Sequence, residues 1–327
     1  MPWTLVHLVL ALLLLSKAAD WFARGLAHVA ELTGLSRLLL GAVLVGFVTN
    51  LPEFFVSVGA AWKGLGGISL GNAVGSNIFD TAFVLGLCLA RSRLRVQPEW
   101  LRDQGLPMLF ACIGLYAFAV FWNITRLVAV LLLLVLGLYF CWSLLSTRRS
   151  PSLAKETKEV AEHALGAESG VQHRWAVASL LFGISLPLLF LSSRWVLSNA
   201  VELARLLEVN ESVVAFTIIA AGTSLPELAT SLAATRRGHF DTVVGIIFGS
   251  NIYNALGVVG LSGLIATLPI TPANRLFDFP VMMLAVALPV APLAWGRLPG
   301  RRIGWLLLAL YGFYVYSLFM LRGVFDP

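Results

Sequence analysis

The sequence predicts an all-α polytopic membrane protein: ten transmembrane helices arranged as two inverted five-helix repeats. Three observations predict it. Of 327 residues, 58% are apolar and 12% charged, with a mean hydropathy of +0.86, whereas an average soluble domain is roughly 25% charged. Apolar stretches recur down the chain, each long enough to cross about 30 Å of hydrocarbon, which takes about 20 residues. Finally, sliding the sequence on itself by 174 residues superposes two polar motifs without a gap.

Apolar windows place the helices near 3–29, 37–61, 67–89, 104–122, 126–146, 175–204, 210–235, 241–268, 278–296 and 302–321. The first begins with Val6 to Leu15, followed by Ala18 and Ala19, which has the outline of a secretory signal. No Lys or Arg precedes it, and the apolar pattern runs on through Trp21, Phe22 and Leu26, so it reads as a retained span. With the N-terminus outside, the inward loops carry fifteen Lys and Arg residues, among them Arg91, Arg93, Arg95, Arg148, Arg149, Arg236, Arg237, Arg301 and Arg302. The outward side carries four, Lys63, Arg126, Arg275 and Arg322. Positive charge gathers on the cytoplasmic side, so both termini are expected outside, in the inner (plasma) membrane of a prokaryote.

The polar segment from Thr147 to His173 then lies in the cytoplasm as a solvated linker. It divides the chain into a first repeat (1–146), the linker (147–174) and a second repeat (175–327). Five spans precede it and five follow, and an odd number forces the second copy to sit upside down relative to the first. Cys88, Cys112 and Cys141 each lie in an apolar run and behave as small hydrophobes, with neither a disulfide framework nor a metal cluster. The net charge of +6 is spread over loops without a basic stripe, which argues against a nucleic-acid partner.

Within the repeat, Thr49, Leu51, Pro52 and Glu53 fall on Thr223, Leu225, Pro226 and Glu227, while Gly75, Ser76, Asn77 and Ile78 fall on Gly249, Ser250, Asn251 and Ile252. Gly71 falls on Gly245, and 15 of 39 positions between Thr49 and Leu87 are identical. Unrelated apolar helices would match in Leu and Val. These match in Pro, Glu, Ser, Asn and Gly, within signatures spanning about 41–87 and 215–261. Inverted repeats characterise secondary transporters, whose ligands bind near the midplane.

The residue types fit a cation site. Proline inside a helix removes one hydrogen bond and frees a carbonyl, so the Pro-Glu motifs are expected to break spans two and seven and to aim the carbonyls of Thr49 and Thr223 inward. Gly222 is expected to loosen the same turn. A carboxylate in the membrane costs about 2.5 to 3.5 kcal/mol on insertion scales, and a bound cation offsets that cost for Glu53 and Glu227. Ser76 and Asp80 share one helical face at four-residue spacing, as do Ser250 and Asn254. Carboxylate, carbonyl, hydroxyl and amide oxygens are what calcium takes, six to eight at about 2.3 to 2.6 Å; the His-Cys sets preferred by zinc are not offered. The small residues Gly71, Gly75, Gly245 and Gly249 would let the four helices approach closely. Asp20, beside Lys17 and Arg24, reads as a structural ion pair on a helix face.

Gly222-Thr-Ser-Leu-Pro-Glu227 followed by Gly249-Ser-Asn-Ile-Tyr-Asn254 resembles the second signature repeat of the calcium/cation antiporter superfamily, microbial sodium/calcium exchangers included. The first repeat resembles its partner less closely. The resemblance implies a central cluster of sites in which the two glutamates bind calcium or sodium alternately. Carried over by position, the implied ligands are Thr49, Glu53, Ser76 and Asp80 from the first repeat and Thr223, Ser224, Glu227, Ser250 and Asn254 from the second, with Asn77 and Asn251 secondary. It also implies that spans one and six slide across the core. Val48 and Asn50 stand where the family has Gly and Ser, so a hydroxyl ligand becomes the amide of Asn50. Asp80 pairs with Asn254 where such exchangers often place the acid in the second copy.

The expected function is a secondary antiporter exchanging sodium for calcium by alternating access. The alternative is a calcium (cation)/proton or potassium-dependent sodium/calcium antiporter. Three carboxylates match three sodium ions, or one calcium with one proton. No zinc-hydrolase motif, nucleophile elbow or phosphate-binding loop is present, so no enzymatic activity and no cofactor is expected. The expected partners are calcium, sodium, protons and membrane lipid, with the monomer as functional unit.

Overall fold

The computed structural model describes residues 2–32, 49–91, 98–149, 174–292 and 298–325. Among them no strand occurs, and backbone hydrogen bonds of 3.1 and 3.0 Å join Ile124 and Leu268 as an isolated bridge between two loops. The helices are α1 (Pro2–Leu32), α2 (Leu51–Trp62), α3 (Gly66–Arg91), α4 (Pro98–Phe121), α5 (Arg126–Arg149), α6 (Arg174–Leu206), α7 (Glu211–Thr223), α8 (Leu225–Arg237), α9 (Phe240–Ile265), α10 (Asn274–Asp278 continuing as Phe279–Val290) and α11 (Arg301–Phe325). Seven are long and apolar enough to cross a membrane, and α7 with α8, bent by 46° at their junction, make an eighth span if taken as one. The first half of the second expected span, Val48 included, and most of the linker lie outside the described residues.

Two boundaries differ from the apolar windows for local chemical reasons. Helix α4 starts at Pro98 instead of 104, because proline's fixed φ and missing N–H suit a first helical turn. Helical geometry leads into α10 from Pro272 instead of 278, because the Asn274 N–H donates to Thr271 Oγ1 (3.2 Å) and the Thr271 N–H to Asn274 Oδ1 (2.9 Å), a reciprocal cap at Thr271.

The 174-residue offset recurs in the folded chain. Helices α3 and α9 begin at Gly66 and Phe240 and end at Arg91 and Ile265, and both change from α to π geometry, at Phe79 and Tyr253. Helices α1 and α6 end at Leu32 and Leu206. The turns into α3 and α9 share their chemistry too. Gly64 (φ 76°) and Gly238 (φ 80°) occupy the left-handed region, where a Cβ is unfavourable. Beside them Leu65 N–H donates to Ala60 O (2.9 Å) and His239 N–H to Ala234 O (3.0 Å), a Schellman-type closure.

Helices α3 and α9 run through the centre, largely buried. Helix α3 packs on α2, α7, α10 and α11, and α9 on α2, α4, α5 and α8. Their close approaches are built on small residues: a Cβ on Gly75 would lie 2.7 Å from the Phe216 carbonyl oxygen, and one on Gly71 would lie 2.9 Å from Ala215 Cβ. The partners that the repeat predicts for Gly245 and Gly249 fall on residues outside the described set. Gly222 lies in the short α segment between the π turn at Ala215–Ile219 and the break at Ser224, and a Cβ there would clash with Leu12, so it also admits α1 to the core.

The apolar residues form two clusters. One joins α1 and α6 to one side of α2 and α7 through Leu8, Leu15, Val196, Leu203 and Val214; the other unites α3 with α4, α5, α9, α10 and α11. Outward faces carry exposed Trp3, Leu13, Phe110, Leu134, Leu138, Phe190, Trp305 and Phe313, a surface whose natural solvent is lipid. On α1, Asp20 accepts from Lys17 Nζ and Arg24 Nε, both at 3.1 Å, as its spacing predicts.

Candidate ion-binding site

Two helix starts frame the site. Asn50 (φ −86°, ψ 11°) and Ser224 (φ −84°, ψ 14°) stand just outside the first turns of α2 and α8 in nearly the same conformation. In each copy the next residues are Leu, Pro and Glu, so Pro52 and Pro226 have no N–H to give the carbonyl four residues back. Glu53 and Glu227, both buried, thus occupy the first turns of their helices, whose N-termini carry about half a positive charge and favour an anion. The Ser224-x-x-Glu227 spacing is that of a capping box. Ser224 Oγ instead donates to Glu53 Oε1 at 3.1 Å, across the two halves of the chain.

The π segments of α3 and α9 supply the next layer, with Asp80 and Asn254 each the second residue of its segment. Ser250 Oγ lies 2.8 Å from Asn50 Oδ1 and 2.9 Å from Asp80 Oδ2, and Asn254 Nδ2 lies 3.5 Å from Ser250 Oγ. Ser76 Oγ lies 3.5 Å from Thr223 Oγ1. Ser76 and Asp80, one turn apart, therefore each hydrogen-bond to a residue of the opposite half. Thr49 is part-buried directly before the first break, and Asn50, Glu53, Ser76, Asp80, Thr223, Ser224, Glu227, Ser250 and Asn254 are all buried, none above 2% exposed.

Electrostatics set the character of this cage. Glu53, Asp80 and Glu227 lie within electrostatic reach of one another, and no Lys, Arg or His among the described residues forms an ion pair with them. Glu53 Oε2, Asp80 Oδ1, Asn254 Oδ1 and both carboxylate oxygens of Glu227 are buried without a hydrogen-bond donor. Burying acceptors of this kind unpaired is costly, and a cation is the partner such oxygens fit. Among the described residues no three His, Cys, Asp or Glu side chains gather as a compact metal cluster, so hydroxyl and amide oxygens have to complete any coordination shell.

Asn77 and Asn251 lie one residue beyond the two serines and bind the halves to each other. Asn77 Nδ2 donates to the Asn251 carbonyl oxygen (3.2 Å) and reaches Met282 Sδ (3.9 Å), while Asn251 Nδ2 donates to Thr81 Oγ1 and reaches Met108 Sδ (3.3 Å). Their own amide oxygens are buried and unpaired.

Sequence reasoning passed over Asn72 and Thr81. Asn72 Nδ2 donates to the Glu53 carbonyl oxygen (3.2 Å) and to Ser57 Oγ (3.0 Å), and Asn72 Oδ1 accepts from Thr223 Oγ1 (3.1 Å). The available signal was a polar residue one turn before Ser76 in an apolar helix. The repeat hid it, because the matching position is Ile246.

The family of sodium/calcium exchanger proteins matches this chain twice, over residues 3–145 and again over 177–320. The inner membrane protein YrbG of Escherichia coli is 33% identical over 92% of both chains. The putative antiporter CaxA of Alkalimonas amylolytica is 33% identical over 96% of this chain and 98% of its own. Among solved structures, the sodium-calcium exchanger NCX_Mj soaked with sodium and strontium superposes with a TM-score of 0.63 at 27% identity, covering 96% of this chain and 98% of that one. With a buried, carboxylate-lined cage at the centre of a helical membrane fold, the chain belongs to the sodium/calcium exchanger family of integral membrane antiporters.

Proposed function

We propose that the protein exchanges sodium for calcium by alternating access at the cage between α2, α3, α7, α8 and α9. The observation that carries the reading is the pair of Pro-Glu helix starts facing each other with four unpaired carboxylate oxygens, on Glu53, Asp80 and Glu227. Glu53, Glu227 and Asp80 supply charge. Thr49, Asn50, Ser76, Thr223, Ser224, Ser250 and Asn254 supply neutral oxygens for calcium's six to eight ligands or for sodium ions, with Asn77 and Asn251 completing the layer.

The same proposal takes ten spans in two inverted repeats, 1–146 and 175–327, joined by a cytoplasmic linker at 147–174, with both termini outside a prokaryotic inner membrane and the monomer as working unit. The doubled family match and the constant 174-residue offset of helix bounds support the repeats. The separate apolar cluster of α1 and α6 supports motion of that pair against the rest.

The test is calcium-45 uptake into proteoliposomes loaded with sodium, compared with vesicles holding an outward proton gradient, with Glu53→Gln as control. Sodium-driven uptake that vanishes in the variant is expected. Uptake driven by protons alone, or requiring potassium, would replace the coupling ion, and no calcium movement under any gradient would remove calcium as substrate.

A further inference from the structure

We propose that Asn72 is a positioning residue that turns the Thr223 hydroxyl into a pure oxygen donor toward the ion, and so sets ion affinity from outside the coordination shell. The proposal rests on the site reading above.

One neighbour of Asn72 has a fixed polarity. The Glu53 carbonyl oxygen can only accept, and it lies 3.2 Å from one end of the Asn72 amide. That end must therefore be the NH2, which also reaches Ser57 Oγ at 3.0 Å. The amide oxygen is then forced to the other side, 3.1 Å from Thr223 Oγ1. Thr223 Oγ1 has one proton and three acceptors in reach, Asn72 Oδ1 at 3.1 Å, the Ala220 carbonyl at 3.2 Å and the Glu53 carboxylate, and the Asn72 oxygen draws that proton off the Glu53 side. The lone pairs of Thr223 Oγ1 are left for the side where Ser76 Oγ lies, 3.5 Å away, which is the orientation a metal cation needs.

The same amide ties together two helix ends. It joins the first turn of α2, through Glu53, to the last residue of α7, through Thr223, so a shift of either helix start is felt by the ligand on the other. Asn72 is fully buried, and Ile246 at the matching position of the second half cannot reproduce this bridge. The cage is thus constrained on the α2–α7 side by an amide link for which the second half has no matching amide. In keeping with that, Ser57 is bonded to Asn72, whereas Ser231, the matching serine, is buried with its hydroxyl unpaired.

The experiment is a double-mutant cycle of Asn72→Leu and Thr223→Val, read as the calcium concentration giving half-maximal calcium-45 uptake into sodium-loaded proteoliposomes. Maximal rate is recorded alongside, and melting in detergent verifies folding. Asn72→Leu is expected to raise the half-maximal concentration roughly tenfold, and to add little once Thr223 is already Val, since the two act through one hydroxyl. A residue serving packing alone would give additive effects, or a lower melting temperature with an unchanged half-maximal concentration, and either result overturns the proposal. If Asn72→Leu does not fold, Asn72→Ser replaces it in the same cycle, with the same expected non-additivity. Glu53→Gln separates the two levels: if it still transports, the site reading fails; if it is inactive while the cycle is additive, only the role of Asn72 fails.

Discussion

Glu227→Gln should make the ion-free protein more stable and the calcium-loaded protein less so. Both carboxylate oxygens of Glu227 are buried without a donor, and the residue is 1% exposed. An ionised side chain in the membrane interior costs about 2.5 to 3.5 kcal/mol on insertion scales, and its place in the first turn of α8 returns about 0.3 to 1 kcal/mol. The amide of glutamine needs neither a charge nor a proton there, so the variant should gain up to about 2 kcal/mol without ions. The wild type should instead gain about 2.7 kcal/mol from calcium at a hundred times its dissociation constant, and the variant should lose most of that. Thermal unfolding in detergent, followed by tryptophan fluorescence in chelator and then in calcium, reads both. A variant that melts below wild type in chelator, or that keeps the full calcium shift, would refute the assignment of Glu227 as an uncompensated ligand.

Four further substitutions probe the scaffold. Gly75→Ala would place a Cβ 2.7 Å from the Phe216 carbonyl oxygen, where backbone cannot yield, and should cost about 1 to 3 kcal/mol; Gly312→Ala, with nothing within 4 Å, should be neutral or gain up to about 1 kcal/mol. Asp278→Leu removes the buried carboxylate to which the Tyr314 hydroxyl and the Asn274 amide donate at 2.9 and 2.8 Å, and should lower stability by about 1 to 3 kcal/mol in the same melting assay. Asp20→Asn removes two half-exposed ion pairs, each worth about 0.3 to 0.5 kcal/mol, so its melting shift should be small and should shrink further in high salt.

What the sequence made legible was what it wrote twice. Pro-Glu and Gly-Ser-Asn stand out because their residue types are expensive in lipid and recur at one spacing, and the structure brings Glu53, Ser224, Asp80, Ser250 and Asn50 into hydrogen-bonded contact across the halves. What occurs once was passed over. Asn72 faces Ile246 in the repeat, Thr81 faces Ala255, and Asp278 faces Gln104, so none of them gains weight from self-comparison. The π segments at Phe79–Leu85 and Tyr253–Val258 carry no local signature, because a widened turn reflects what packs on the helix more than any intrinsic preference. Nor could spacing alone show that the serines of α3 and α9 find partners across the halves. That depends on how the two helices cross, which no single helix encodes.

The placement of Glu53 and Glu227 at the positive ends of two helices also bears on turnover. A carboxylate already favoured by its own helix gives a cation less to gain, and the dipole itself repels the ion. If each helix end withholds about 0.3 to 1 kcal/mol, the two together shallow the well by up to about 2 kcal/mol, which is roughly a thirtyfold faster departure for the same barrier on entry. A carrier has to let go of its cargo on every cycle. A stronger trap assembled from the same oxygens would bind more tightly and deliver more slowly.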